Sequence, residues 1–430
     1  MKAIEPVSIL DSDLYKFTMQ WFALKLFPNE IVRYEFFNRD MREFPPGFVD
    51  VLKESINNMK SLSLSTDEYN YIASFPMPQA YRDFLKDYRF DPSEVHIEQI
   101  ETKLICYIEG YWYRTILWEV PLMGIISELY FQDVPTYRAL QKERNFEKVR
   151  MLCDAGCHFT EFGSRRRFSR ENQAQVLEDI MTVASEGLFM GTSNPYFAKK
   201  YDLSCQGTQA HELFSLMAAI YGFLQANTMA MEHWVSVYNG ALGIVLPDTF
   251  RTVNFLHSFT EKYAKIFDGP RQDSGVPQIF ADKFERHYQT LGIQPKEKKL
   301  LFSDALNAVK AVAIEQNYKN RFKTGYGIGT FFTNDIVNSP KKPLNIVIKL
   351  VGRLLMTHNL SRWIPTIKLS DDLGKNTGDK QMIKLCEDTF SLHYGLDNEC
   401  FSCTLESASS LIELKVKVQE LLIHDGQTEI

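Results

Sequence analysis

From residue 157 to about 351, short apolar runs alternate with helix-patterned stretches, and each run ends in a polar or glycine-bearing cluster. The runs are Phe159 to Gly163, Leu188 to Asn194, Leu203 to Thr208, Ile244 to Thr249, Ile266 to Asp273, Leu300 to Asp304, Lys323 to Thr330 and Leu344 to Val351. Successive parallel strands need a crossover between them, so repeated strand and helix units read as a (β/α)8 barrel. A doubly wound open sheet has the same local pattern. Both folds place their chemistry at the carboxyl ends of the strands, where the polar clusters lie.

The residues before this repeat have another rhythm. Asp11 or Ser12 can cap a helix whose apolar face includes Tyr15. Ile31 to Phe37 reads as a strand, and residues 47–60 and 79–88 as helices. Residues 95–122, including Ile116 to Val120, alternate as antiparallel strands would, with Gly110 as a turn candidate. A charged helix is expected over 136–154. The expected division is an N-terminal α+β domain over 1–135, a barrel over 136–354, and a C-terminal segment over 355–430 that packs back on the N-terminal domain.

The 48 basic and 54 acidic residues leave a net charge of −6, so no basic surface suits nucleic acid or an anionic membrane, and any anionic ligand must be held locally. No apolar run reaches the ~18–20 residues of a membrane span, and residues 1–6 lack the apolar core of a signal peptide, so a cytoplasmic location is expected. Seven scattered cysteines suit free thiols, including the Cys400/Cys403 pair, which has no second pair to complete a zinc site.

Gly207-Thr208-Gln209-Ala210-His211-Glu212 places one histidine at a helix start, where free N–H groups and the helix dipole favour anions. A surface or capping histidine is the plainer reading of that segment alone. Arg165, Arg166 and Arg167 follow a strand candidate and suit phosphate or carboxylate, beside the flat face of Phe162. Thr192 and Ser193 add hydroxyl donors. Asp248 with Arg251, and Arg271 with Asp273, pair a carboxylate with an arginine, as a polyol phosphate site or a structural salt bridge would. Asp304 reads as a ribose or magnesium partner or as a helix cap. Gly327, Gly329 and Thr330 end a strand without matching a Walker loop or a dinucleotide fingerprint.

Taken in order from Asp11-Ser12-Asp13-Leu14-Tyr15-Lys16 to Gly327-Ile328-Gly329-Thr330, these segments resemble the nicotinate phosphoribosyltransferase family. The resemblance implies an irregular, type II phosphoribosyltransferase-like barrel with an N-terminal α+β domain. It implies the coupling of nicotinate and phosphoribosyl pyrophosphate to nicotinate mononucleotide and pyrophosphate, with ATP as co-substrate. Mg²⁺ would be held mainly through the substrate phosphates. His211 then matches the phosphorylated histidine, Phe162 the aromatic that stacks on the pyridine, and Tyr15 an aromatic lent by the neighbouring subunit of a homodimer. Arg165 would meet the nicotinate carboxylate or nearby phosphates. Asp248, Arg251, Arg271, Asp273 and Asp304 would hold ribose and pyrophosphate, and Gly327, Gly329 and Thr330 the 5′-phosphate. Relatives that prefer nicotinamide carry an acid at the position of Ser193, so the serine points to nicotinate. Gln272 departs from the proline that many relatives have before the aspartate. A nicotinamide- or quinolinate-using enzyme and a catalytically silent binding protein are the alternatives.

Overall fold

The computed structural model describes residues 1–358, 360–372 and 375–395; Cys400, Cys403 and the alternating segments expected near the C-terminus lie outside them. Two sheets organise the chain. The first is antiparallel, in the order β11 (Leu360–Pro365), β10 (Ile346–Thr357), β1 (Ile31–Asn38), β3 (Lys103–Tyr111) and β2 (Val95–Ile100). The second is parallel, in the order β5 (Phe189–Thr192), β4 (Phe159–Glu161), β9 (Lys323–Ile328), β8 (Lys299–Phe302), β7 (Gly269–Gln272) and β6 (Ile244–Val245). An α/β fold with an N-terminal α+β part and a large parallel sheet is therefore what the chain builds.

The parallel sheet curves toward closure through Leu203 to Thr208, which supplies a single bridge rather than a strand. Thr192 pairs with Cys205, and Thr208 Oγ1 donates to the Ile244 carbonyl at 2.8 Å. Gly191, at φ +101°, is required at this seam, because a Cβ would collide with the Ser204 carbonyl. The run Leu344 to Val351, counted in the sequence as an eighth barrel strand, instead lies largely in β10 and pairs with β1. Between β9 and β10 the chain offers only the four-residue helix Thr330–Thr333 and then Pro340-Lys341-Lys342-Pro343, too little to cover a parallel crossover. An apolar run alone does not tell which sheet it will join.

Residues 116–120 are not strand but part of a continuous helical stretch: the helix Trp112–Thr115, the 3₁₀ turn Ile116–Trp118 and the helix Glu119–Phe131. That last helix is buried on every side, so it lacks the polar face that marks a helix in sequence. Gly110 is not a turn; it lies within β3, opposite Val32.

The helix Leu14–Leu26 begins after Asp13 rather than after Asp11 or Ser12. Asp11 instead forms a fork with Arg167, Oδ1 to Nη1 at 2.7 Å and Oδ2 to Nη2 at 2.8 Å, while Arg167 Nε reaches Glu128 at 2.8 Å. These buried charges need one another, since leaving one unpaired costs ~3–5 kcal/mol. They fasten the N-terminal segment to the barrel. Leu14 N bonds the Ser193 carbonyl at 2.7 Å and Thr18 Oγ1 the Thr208 carbonyl at 2.6 Å, which brings Tyr15 to the rim of the same chain's barrel. The expected C-terminal packing is divided. β11 extends the first sheet, whereas the helix Lys380–Tyr394 sits on the barrel side, with Phe390 against Phe250 and Glu387 against Arg251. Among the described residues no helix is long and apolar enough to cross a membrane.

Candidate active site

Two clusters of polar side chains meet at the carboxyl ends of the parallel strands. The first is built on His211, the first residue of the helix His211–Tyr221. Its Nε2 lies 2.9 Å from Asp273 Oδ2 and its Nδ1 lies 3.0 Å from Thr249 Oγ1. Burial alone would raise the Asp273 carboxyl, but the hydrogen bond to His211 and the charge of Arg271 hold it well below the usual range. An ionised Asp273 can only accept, so Nε2 carries the proton and Nδ1 keeps a lone pair, which accepts from Thr249. Burial, followed by the charge of Lys368, pushes the His211 pKa down, so the ring is neutral.

Lys368 was not anticipated from the sequence. Its Nζ lies 3.2 Å from His211 Nε2 and 2.8 Å from Asp248 Oδ2, and Asp248 Oδ2 also accepts from Ser274 Oγ at 2.6 Å. His211, Asp248 and Asp273 offer donor atoms within 4.8 Å of one another, a spacing that a metal ion could use. The donor set does not fit Mg²⁺, which prefers oxygen, and the Lys368 ammonium already serves these acids as their cation. Asp304 fits better. Burial, reinforced by Asp273 and Asp372 and opposed by Lys375, pushes its pKa up to about 6. A hard divalent cation would relieve the negative charge gathered there.

Arg271 belongs to this group and, among the described residues, its buried Nε has no partner, as a donor awaiting an anion would. Gln272 does not disturb the neighbouring loop. Its amide donates to the carbonyls of Ser274 at 3.1 Å and Gly275 at 2.8 Å, tying residues 273–275 down where a proline would have stiffened them. Arg251, at φ +65°, directs Nη2 to Glu387 Oε1 at 2.6 Å, which puts that part of its guanidinium on the helix Lys380–Tyr394.

The second cluster gathers Phe162, Arg165, Tyr15, Asp13 and Ser193. Phe162 rests on Gly327, where a Cβ would stand 2.5 Å from Cε2 of the ring, and its backbone faces Gly329. Both glycines thus have a packing role beneath the aromatic, beside the phosphate role suggested by the sequence. Thr330 opens the short helix beyond them. Arg165 lies 3.8 Å from Asp13 Oδ2 and 3.7 Å from Glu119 Oε1. Tyr15 OH lies 3.4 Å from Glu119 Oε2. Within one chain, Tyr15 therefore stands at the rim of that chain's own barrel. Bonds from Asp11, Asp13 and Thr18 fasten this segment to the barrel.

Two hydroxyls expected to face the substrate are committed elsewhere. Thr192 is fully buried and its Oγ1 donates to Glu161 Oε2 at 2.6 Å, so it positions the strand end. Ser193 Oγ donates to Asp13 Oδ1 at 2.7 Å and cannot at the same time donate to a nicotinate carboxylate.

Lys16, with no exposed surface, lies between Glu119 at 2.5 Å and Glu212 at 3.2 Å and joins the first turns of the helices that carry Tyr15 and His211. Lys349 of β10, pushed down to about 8 by burial and then by Lys368, feels Glu119 and Arg165 as well as Asp273, so the two clusters share one electrostatic environment. Asp13 and Lys16 stood within the quoted N-terminal motif, and only their contacts reveal their parts. Thr249 closed the Ile244 to Thr249 run without a role being given to it, and Lys368 gave no local signal.

A profile of the nicotinate phosphoribosyltransferase (NAPRTase) N-terminal domain matches residues 10–127, and one of the NAPRTase family matches residues 157–394. A nicotinate phosphoribosyltransferase of Chromohalobacter salexigens is 43% identical over 391 residues, covering 90% of this chain and 98% of that protein. A crystal structure of a nicotinate phosphoribosyltransferase from Porphyromonas gingivalis superimposes with a TM-score of 0.86 at 38% identity, over 90% of this chain and all of that one. A putative nicotinate phosphoribosyltransferase structure from Saccharomyces cerevisiae gives 0.84 at 34%, over 91% and 99% of the two chains.

Proposed function

The chain belongs to the nicotinate phosphoribosyltransferase family and makes nicotinate mononucleotide from nicotinate and phosphoribosyl pyrophosphate, and we propose that ATP drives this step through transient phosphorylation of His211. The observation that carries the proposal is the His211 ring, held neutral between Asp273 and Thr249 with Lys368 beside it. Once Thr249 turns its hydroxyl away, the Nδ1 lone pair attacks the γ-phosphorus of ATP. An N–P bond forms and ADP leaves. Asp273 accepts from Nε2–H throughout and stabilises the positive charge that develops on the ring. Lys368, 3.2 Å from Nε2, helps to keep the ring neutral before the attack. Water later cleaves the N–P bond and releases phosphate.

The transfer itself needs no protein nucleophile. The pyridine nitrogen approaches the anomeric carbon as its bond to pyrophosphate breaks, through an oxocarbenium-like state. Phe162 and Tyr15 hold the ring and Arg165 its carboxylate. Arg271, whose Nε has no hydrogen-bond partner among the described residues, would meet the departing pyrophosphate, and Asp248, whose Oδ1 likewise has none, and Asp304 would accept from the ribose hydroxyls. Gly327, Gly329 and Thr330 line the strand end that takes the 5′-phosphate. Bound Mg²⁺ would neutralise charge on the pyrophosphate, with Asp304 as the residue best suited to hold it.

The family resemblance implies a homodimer, in which a neighbouring subunit could also present its Tyr15 to this site. A cytoplasmic setting suits the thiols of Cys106, Cys153, Cys157, Cys205 and Cys386, all free. The test is incubation of the protein with nicotinate, phosphoribosyl pyrophosphate and Mg²⁺, with and without ATP. Mononucleotide should form in both, with ADP released and the yield raised when ATP is present. Mononucleotide synthesis with no ADP release would refute the coupling.

A further inference from the structure

We infer that Asp13 is the specificity-determining residue of the pyridine pocket, and that nicotinate binds together with one proton taken up at Asp13 Oδ2. This rests on the reading that Phe162, Tyr15 and Arg165 hold the nicotinate.

Asp13 occupies the N-cap of the helix Leu14–Leu26, where an aspartate ordinarily accepts from the N–H groups of the first turn, yet its side chain makes no such bond. A cap of that kind is worth ~1 kcal/mol. The carboxylate turns instead into the pocket. There Oδ1 accepts from Ser193 Oγ at 2.7 Å, and Oδ2 stands 3.8 Å from Arg165 Nε. With 3% of its surface exposed, Asp13 has little water to solvate its charge.

The charged and titratable groups facing it come from every element around the pocket. They are Arg165, Glu119, Glu161, Tyr15 and the thiol of Cys205, with the hydroxyls of Ser164 and Ser193. Arg165 is the cation that pairs with it. Burial already pushes the Asp13 pKa up, although Arg165 and the two serines pull against it. When the carboxylate of nicotinate engages Arg165, Asp13 loses that compensation and gains a second carboxylate as neighbour. Two carboxylates so placed are stabilised by sharing a proton.

The geometry also selects the atom. Ser193 keeps Oδ1 as an acceptor, so the proton goes to Oδ2, and the new O–H donates to the nicotinate carboxylate. No bond other than this O–H forms, and the proton comes from solvent. A carboxamide would instead donate its N–H to an ionised Oδ2 and need no proton. The preference for acid over amide should therefore grow as the pH falls.

The experiment measures the KM for nicotinate in mononucleotide synthesis by the full chain from about pH 6 to about pH 9, beside the kcat/KM ratio for nicotinate over nicotinamide. In the wild type the nicotinate KM should rise with pH by up to about tenfold per unit, and the ratio should fall in parallel. Asp13→Asn keeps an oxygen to accept from Ser193 and offers an N–H to nicotinate, so it should flatten both profiles while leaving the KM for phosphoribosyl pyrophosphate unchanged. A flat wild-type profile overturns the inference whether or not the variant folds. So does the same slope in Asp13→Asn. A protein that forms no mononucleotide at any pH would fail the proposed function as well, whereas turnover with a flat profile fails this inference alone.

Discussion

Asp273→Asn isolates the hydrogen bond that fixes the His211 tautomer. Oδ2 lies 2.9 Å from Nε2, and the carboxylate is held ionised by His211 and Arg271 against the effect of burial. The amide is isosteric, so the fold should survive, but the acceptor loses its charge. A hydrogen bond to a charged group contributes ~1.5–3 kcal/mol and a neutral one ~0.5–1.5, a difference of about 1–2 kcal/mol. The Asp273 side chain is 32% exposed, so water screens part of this and the lower half of the range applies to the resting state. As Nδ1 attacks phosphorus the ring turns cationic, and the full difference is felt. Phosphorylation should therefore slow by about 5- to 30-fold. The assay is rapid-quench labelling from γ-labelled ATP without phosphoribosyl pyrophosphate, so that any change at Arg271 does not enter. Labelling at the wild-type rate would refute the tautomer argument. A loss beyond about 10³-fold would mean that Asp273 does more than orient and stabilise the imidazole.

Lys368→Met removes the ammonium 3.2 Å from His211 Nε2. It should move the acid limb of the labelling rate to higher pH, since Lys368 contributes to holding the His211 pKa below its ordinary value and the variant would be protonated sooner as pH falls. An unmoved limb in the pH–labelling profile would contradict this. Gly327→Ala places a methyl group 2.5 Å from Phe162 Cε2 and should raise the nicotinate KM several-fold with the fold intact, at a cost of ~1–3 kcal/mol of packing strain. An unchanged KM would remove Phe162 from the ring site. Tyr15 OH lies 3.4 Å from Glu119 of its own chain, so if that Tyr15 serves its own barrel, Tyr15→Ala mixed with His211→Asn should recover no activity. Recovery on mixing would show that a neighbouring subunit lends it.

The parts legible in the sequence were those with local causes. Strand ends marked by Gly163, Asp248, Asp273 and Asp304 could be read because turns and strand termini leave a short-range imprint. The buried helix Glu119–Phe131 could not, since its amphipathic period is erased by burial on all sides. Nor could the pairing of β10 with β1, because an apolar run is equally at home in either sheet. At the site, residue types were readable but commitments were not. Ser193 is a donor in any listing of side chains, yet its one proton goes to Asp13 at 2.7 Å. Lys368, 157 positions from His211, is a long-range contact that no spacing rule announces.

The most direct test of the account is the fate of the γ-phosphate. The wild-type chain incubated with γ-labelled ATP and Mg²⁺, then digested and mapped, should carry an acid-labile, alkali-stable label on the peptide containing His211, discharged when nicotinate and phosphoribosyl pyrophosphate are added. His211→Asn should carry none and should form mononucleotide without releasing ADP. Label retained in His211→Asn, or a wild type that consumes ATP with no label at His211, would contradict the account.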